Sequence, residues 1–213
     1  MSSPALAQDG EDDLAGEIQF KLLATAVLPD GSIDEITVNV PELPADLDTE
    51  ANDNYVPTIA VEWFVSNNFS IETIAGTTQH DVDTTAGLPE GLELVSDGLL
   101  LPATVTGKGH FDLGGVKPYV GAGAAYFIWL DVNPGAAVLP LGVTRTDLSD
   151  EFGFVLQAGF DMPVGDQGFG VTFDAKRYFI GTTAQWFAGD DLVIETEHTL
   201  DPWVLSAGVS YKF

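Results

Sequence analysis

Cysteine is absent from the 213 residues and basic side chains are few: seven Lys and Arg stand against 33 Asp and Glu, for a formal net charge of -26. The first lack removes disulfides, thiolate nucleophiles and Cys-ligated zinc together. The second removes the basic surface that would hold phosphates, so nucleic acid is excluded as a partner and anionic headgroups find no positive patch. Apolar runs of about 18 residues are missing too, so no membrane-spanning helix is encoded. Helical spacing of apolar residues is scarce. Histidine is limited to His80, His110 and His198. His80 in "QHDVD" (79–83) and His198 in "ETEHTLD" (195–201) have acidic sequence neighbours, but hydrolysis needs such groups converging around one cleft, and loop acids are ordinarily solvated. "GAGAAY" (121–126) lies inside a strand pattern with no helix after it, so it is no phosphate loop. These lacks together predict a protein that is not an enzyme and has no cofactor or metal.

What the chain does contain is apolar material: 45% hydrophobic residues, with 13 Phe, 5 Tyr and 4 Trp, and a mean hydropathy of +0.15. A disordered acidic chain would be poor in these residues. The charge must therefore be segregated from a buried or lipid-facing apolar surface. Near the start, "PALAQ" has the small-x-small form of a signal-peptidase site. Residues 1–7 are read as the remnant of an export signal behind an added or misassigned Met1, and 8–15 as an acidic N-terminal segment. The remainder, 16–213, is one domain placed outside the cytoplasm.

Alternation of period two runs through that domain. Eight segments carry it, near 16–28, 53–64, 69–80, 98–111, 117–130, 152–162, 169–180 and the closing "DPWVLSAGVSYKF". In the last, Trp203, Leu205, Ala207, Val209, Tyr211 and Phe213 share one face, and small or polar residues take most of the other. "VSNNF" (65–69), "DLGG" (112–115) and "PVGDQG" (163–168) are short connections, whereas 29–52, 81–97, 131–151 and 181–196 are long and acidic. Short turns at one end, long loops at the other and an even strand number predict an all-β, eight-stranded antiparallel up-and-down transmembrane barrel. Its turns would be periplasmic and its acidic loops extracellular, in the outer membrane of the cell. The apolar face has no second sheet to cover it, so lipid is its partner, and closure leaves no backbone edge in hydrocarbon. A soluble lipocalin-type barrel with the apolar face inward is the alternative that patterning leaves open.

Parity then assigns the lumen. Glu17, Lys21, Glu62, Glu72, Lys108, Gln157, Asp161, Asp174, Lys176 and Lys212 point inward, many near the short-turn end. Buried charges must be paired, so Glu62, Glu72, Lys108, Asp174, Lys176 and Lys212 are expected to form a polar plug. Leu23, Val27, Val56, Ile74, Leu100, Phe127 and Trp129 face the outer half of the lumen, an apolar slot for a small hydrophobic ligand. Gly76, Gly121 and Gly123 would leave room in it. Pro57 toward lipid and Pro102 toward the lumen each remove a ladder hydrogen bond, a local weakness that reads first as a mere bend and second as a lateral exit.

Six stretches in register resemble the outer membrane protein W (OmpW) family: "NDNYVPTIAVEWFVSNNFSIETIAG" (52–76), "LLPATVTGKGHF" (100–111), "KPYVGAGAAYFIW" (117–129), "EFGFVLQAGFDMPV" (151–164), "DAKRYF" (174–179) and the closing strand. The resemblance spans roughly 16–213. It implies an eight-stranded barrel with a narrow, hydrophobic, constricted lumen that binds or passes small hydrophobic molecules, with lateral release into the membrane. It places Ile74 at an apolar constriction. The facing aromatic falls at "KRY", where this chain has Lys176 instead, with Tyr178 on the same face as a substitute and eighth ligand-binding candidate. Trp203, Tyr211 and Phe213 form the terminal aromatic signal that the outer-membrane insertion machinery reads in barrel proteins generally. The alternative function is a structural or surface-interaction barrel whose acidic loops serve envelope stability or adhesion. An open apolar cavity in the lumen favours passage, and a solid one favours the structural role.

Overall fold

The computed structural model describes residues 14–213. The export-signal reading of 1–7 and all but the end of the acidic segment 8–15 lie outside the described residues. Fourteen strands follow in order: β1 Ile18–Leu28, β2 Ser32–Asn39, β3 Asp48–Ala51, β4 Asn54–Ser66, β5 Phe69–Ala75, β6 Thr78–Ala86, β7 Glu93–His110, β8 Lys117–Pro134, β9 Arg145–Leu148, β10 Glu151–Pro163, β11 Phe169–Phe179, β12 Gly181–Ala188, β13 Asp191–Thr199 and β14 Trp203–Lys212. Eight of them close a ring in the order β1-β4-β5-β7-β8-β10-β11-β14, every neighbour antiparallel. The seam between first and last strand is continuous, from Gln19 opposite Lys212 to Leu28 opposite Trp203. Closure pairs the backbone groups that an open edge would expose to lipid.

The alternation resolves the direction of the two faces. Leu22, Ile59, Val105, Val120 and Val209 are each more than half exposed, while Lys21, Glu62 and Lys108 are at most 2% exposed. The greasy face points out and the charged one in, the arrangement a bilayer requires and a soluble barrel forbids. Aromatics pair along the outer surface, as in Phe20–Phe213 at 5.5 Å and Phe160–Phe173 at 5.0 Å between ring centroids. Trp203, Tyr211 and Phe213 all project outward. At Gly208 a side chain is impossible, because a Cβ there would lie 2.0 Å from the Leu22 carbonyl of β1.

The long acidic stretches are not loops throughout. They hold β2, β3, β9, β12, β13 and most of β6, together with the ends of β7 and β8 that extend beyond the ring. β2-β13-β12-β9 form a second sheet, and β3 and β6 add to β7. "SIDEITVN" and "DLVIETEHT" mix β-branched or apolar residues with acids, and two bulges in their pairing offset the register where strict alternation fails. Their charge alone suggested loop. Leu94, Val95, Val138, Val143, Ala184, Trp186 and Ile194 make a core for this cap, and the Trp186 indole N–H donates to the Leu94 carbonyl at 3.1 Å.

Candidate functional site

Two chemistries are stacked in the lumen. Toward the short-turn end lies a charge network centred on Glu72. Its Oε2 accepts from Lys21 Nζ at 3.0 Å and Lys108 Nζ at 2.9 Å, and its Oε1 from Gln157 Nε2 at 2.8 Å and Lys176 Nζ at 3.3 Å. Glu62 Oε2 takes Lys21 at 2.6 Å and Lys108 at 2.8 Å. Asp174 takes Lys176 and Gln157 at 2.6 Å and the Tyr119 hydroxyl at 2.7 Å. Lys108 also sits 3.7 Å from the centre of the Tyr119 ring. Register explains the convergence: Glu62 is directly opposite Glu72, and Gln157 opposite Lys176, so neighbouring strands deliver these side chains at nearly one height. Unpaired, each of these ions would cost several kcal/mol.

Glu62, Glu72, Lys108, Asp174 and Lys176 are thus brought together, with Lys21 and Asp161, the latter 3.5 Å from Lys21. Lys212 is a correction. It lies at the last paired position of β14 and reaches Glu17 at 2.9 Å on the half-open rim. Tyr119, Ser70 and His110 belong to the network although the plug expected from sequence omitted them; Ser70 shares strand parity with Glu72 and His110 with Lys108, whereas β8, which carries Tyr119, had no named member of the plug. Ser70 Oγ and Glu62 both meet His110 at Nε2, at 2.7 and 3.0 Å, while Nδ1 has no protein partner. A Ser–His–acid relay needs the acid on the other ring nitrogen.

Above the network the lumen opens into a cavity of about 110 Å³. One water needs only about 10–15 Å³, and an apolar cavity of about 150 Å³ admits benzene, so the space suits a small organic molecule. Leu23, Val27, Val56, Ile74, Leu100, Phe127, Trp129 and Tyr178 all stand in its wall. Phe127 packs on Tyr178 at 5.5 Å between ring centroids, and the Tyr178 hydroxyl is held by Thr104 at 3.2 Å. Lys176 reaches the floor from the network and is the wall's one Lys, Arg, Asp or Glu among the described residues. Of the three glycines expected to make room, Gly76 lines the cavity. A Cβ on Gly123 would lie 1.9 Å from the Val105 carbonyl, and one on Gly121 would lie 3.1 Å from Lys108, so those two serve strand contact and the plug.

The cap supplies wall residues that alternation alone did not mark: Leu94, Trp186, His80 and His198. Both histidines are kept neutral by burial, against nearby acids. His80 lies below its ordinary value despite the Asn52 carbonyl, Asp81 and Asp53. His198 is pushed down to about 4 despite Asp34 and Asp48. Each ring Nε2 meets a threonine hydroxyl, Thr78 at 2.9 Å and Thr196 at 2.6 Å.

One side of the cavity has an interrupted ladder. β5 leaves β4 at the Ile59–Ala75 pair and leaves β7 at Ile74–Thr104. Pairing on β7 resumes only at Thr78–Leu100, now with β6. Gly76, Thr77 and Pro102 lie in the break and line the cavity, and Pro57 stands next to it on β4 without an N–H to offer.

The sequence profile of the OmpW family matches residues 14–213. The uncharacterized outer-membrane protein y4mB of Sinorhizobium fredii is 31% identical over 218 aligned positions, covering 100% of this chain and 88% of that protein. Outer membrane protein W of Vibrio cholerae is 27% identical, covering 93% of this chain and 89% of that one. Among solved structures, the outer membrane protein OprG of Pseudomonas aeruginosa superposes with a TM-score of 0.81 at 22% identity, over 93% of this chain and 96% of that one.

Proposed function

The chain belongs to the OmpW family and is an outer-membrane β-barrel protein, and on that premise we propose that it binds small hydrophobic molecules in the upper lumen and passes them sideways into the bilayer. The cap faces the outside and the short turns the periplasm. The observation that carries this reading is the vertical order of the lumen, an apolar cavity set directly on a buried charge network. An apolar molecule that enters from the cap cannot continue downward without breaking ion pairs in a low dielectric. The break between β4, β5 and β7 opens the wall at the height of the cavity, with lipid on its other side. Burying about 200 Å² of apolar ligand surface yields about 5 kcal/mol, most of it offset by the cost of association. Weak, reversible occupancy is what passage requires.

The reading is one of binding and release, with no catalytic step. A purely structural barrel would have no use for an apolar void beneath its cap, since a void forfeits packing. Trp203, Tyr211 and Phe213 remain our assignment for the segment read by the insertion machinery.

The test is Ile74→Arg, with Ile74→Leu as control, in protein reconstituted in lipid and titrated with an apolar fluorophore such as N-phenylnaphthylamine. Arginine fills the cavity and charges it, so binding should drop at least tenfold while the barrel keeps its folded gel mobility. Full binding by a folded Ile74→Arg protein removes the lumen from the proposal.

A further inference from the structure

Trp129 stands in the cavity wall, and its indole Nε1 is buried with no hydrogen-bond partner in the protein. Several polar groups of the wall are engaged elsewhere: the Tyr178 hydroxyl with Thr104, the His80 and His198 rings with Thr78 and Thr196, and Lys176 with Asp174 and Glu72. The Trp129 backbone N–H is satisfied by Asp150 Oδ1 at 2.9 Å. A buried donor without an acceptor is costly, and tryptophan is an expensive way to supply mere bulk beside Phe127. The indole lines the void while its N–H is closed to water, so an acceptor brought by the ligand meets it once the ring turns toward the cavity.

The approach to the cavity carries a second selection. Of the 33 acids, four precede the described residues and seven (Glu17, Glu62, Glu72, Asp112, Asp161, Asp166 and Asp174) belong to the lumen network or the short-turn end, leaving 22 at the cap end. The bases at that end are Arg145 and Arg177, each already ion-paired, with Asp147 and Asp30 respectively. A field of this sign repels anions over a Debye length, about 8–10 Å at moderate salt and 30 Å at 0.01 M. No carboxylate stands in the cavity wall itself among the described residues. An ammonium group would therefore gather at the cap and lose its hydration without compensation on entering.

We propose, building on the binding function above, that the ligand class is an uncharged apolar molecule carrying one hydrogen-bond acceptor (a ketone, ester, ether or alcohol), read by the Trp129 indole N–H and sorted from fatty carboxylates by the acidic cap. An alkane fits the same cavity without the hydrogen bond. A carboxylate of equal length has acceptors but is turned away before it arrives.

The experiment uses the full chain in nanodiscs of zwitterionic lipid, with ¹⁵N-labelled tryptophan and labelled Ile and Leu methyls. The four indole N–H resonances are assigned with Trp129→Phe, and the Ile74 and Leu100 methyls report occupancy. Octane, octan-2-one and octanoate are titrated at low and at 0.5 M salt. Octan-2-one should move the Trp129 indole proton downfield and bind about two- to tenfold tighter than octane, the range a single net hydrogen bond allows. Trp129→Phe should erase that preference without abolishing methyl shifts. Octanoate should shift the methyls at least tenfold less at low salt than octan-2-one, and recover at 0.5 M. If octan-2-one moves the methyls but leaves the Trp129 resonance in place, or if octanoate binds as well at low salt, this inference fails while the lumen remains a binding site. If neither octane nor octan-2-one moves the methyls, the binding function itself fails.

Discussion

Replacing Glu72 by Gln tests the plug at its hub. The carboxylate accepts from three ammonium groups at 2.9–3.3 Å and from Gln157, and the amide that takes its place offers donors to groups that are donors already. Breaking a buried pair by removing one partner costs about 3–5 kcal/mol. Here each lysine retains another carboxylate, Glu62 for Lys21 and Lys108 and Asp174 for Lys176, all at 2.6–2.8 Å. The lower figure, about 3 kcal/mol, is therefore expected, a shift of about two decades in the folding equilibrium. Lys108→Met should cost a similar amount, because Glu62 and Glu72 keep Lys21 but lose their second or third cation. The double variant removes a charge of each sign from one cluster and should cost about 2 kcal/mol less than the sum of the singles. Urea-driven unfolding in thin bilayers, followed by tryptophan emission and gel mobility, reads all three. Additivity within about 0.5 kcal/mol, or a Glu72→Gln protein as stable as its parent, would refute the account of the network as one coupled unit.

Three further outcomes follow from the outer face and the cap. Ala207→Arg, midway along β14 between the outward rings of Trp203 and Tyr211, should cost about 2–4 kcal/mol because it charges the lipid face near mid-membrane, whereas Ala207→Leu should be tolerated; equal urea midpoints for the two would mean that this face does not meet hydrocarbon. The cap should loosen in acid: unfolded histidine takes its proton near pH 6.5 and His198 only near 4, so the stabilisation is complete above pH 6.5 and up to about 3 kcal/mol is lost as pH falls through that window. Amide exchange in β12 and β13 should show this, and His198→Gln should flatten the pH-dependent part; an unchanged profile would oppose it. Phe213→Ala forfeits stacking on Phe20 and a tilted contact with Tyr211, about 0.5–1.5 kcal/mol, and should lower the amount assembled in the outer membrane several-fold. Phe152→Ala, equally outward and packed on Tyr126 at 4.3 Å, should leave assembly yield intact.

The barrel was legible because strand parity is a two-valued code. Once Phe213, Tyr211 and Val209 are assigned to lipid, Lys21, Glu62 and Lys108 have nowhere to go but inward. The same code carried seven of the eight cavity residues, and the family resemblance added Tyr178. It was blind where side chains are small or where chemistry depends on height as well as face. Gly123 has the parity of a lumen residue, yet its reason is a backbone contact with β7, which no pattern in one strand reveals. Lys212 has lumen parity but sits too low to reach the network, because register between β14 and β1 is a property of pairing and not of either sequence. The cap was missed for a different reason. Its strands bear acids on their solvated face, and bulges at Glu195/Thr196 and Glu197/His198 interrupt the period of two, so Ile33, Ile36 and Val38 do not alternate strictly along β2.

A plug could have been built from aliphatic side chains at equal or better stability, since buried ion pairs rarely outperform a well-packed apolar core. The choice of charge therefore needs a reason other than stability, and the cavity above supplies one. An apolar floor would extend the greasy slot downward, and a hydrophobic molecule would find its lowest free energy deep in the lumen with no way out. A floor of Lys21, Glu62, Glu72, Lys108, Asp174 and Lys176, joined through short hydrogen bonds, is a poor solvent for such a molecule and holds it at the height of the broken ladder between β4 and β7. Converting Lys21, Glu62, Glu72 and Lys108 together to Leu, Met, Met and Leu tests this separation of roles. The barrel should fold with about its original stability, while an apolar fluorophore should bind more tightly and leave more slowly. A folded quadruple variant with parental release kinetics would show that the charges do not set the depth of the ligand.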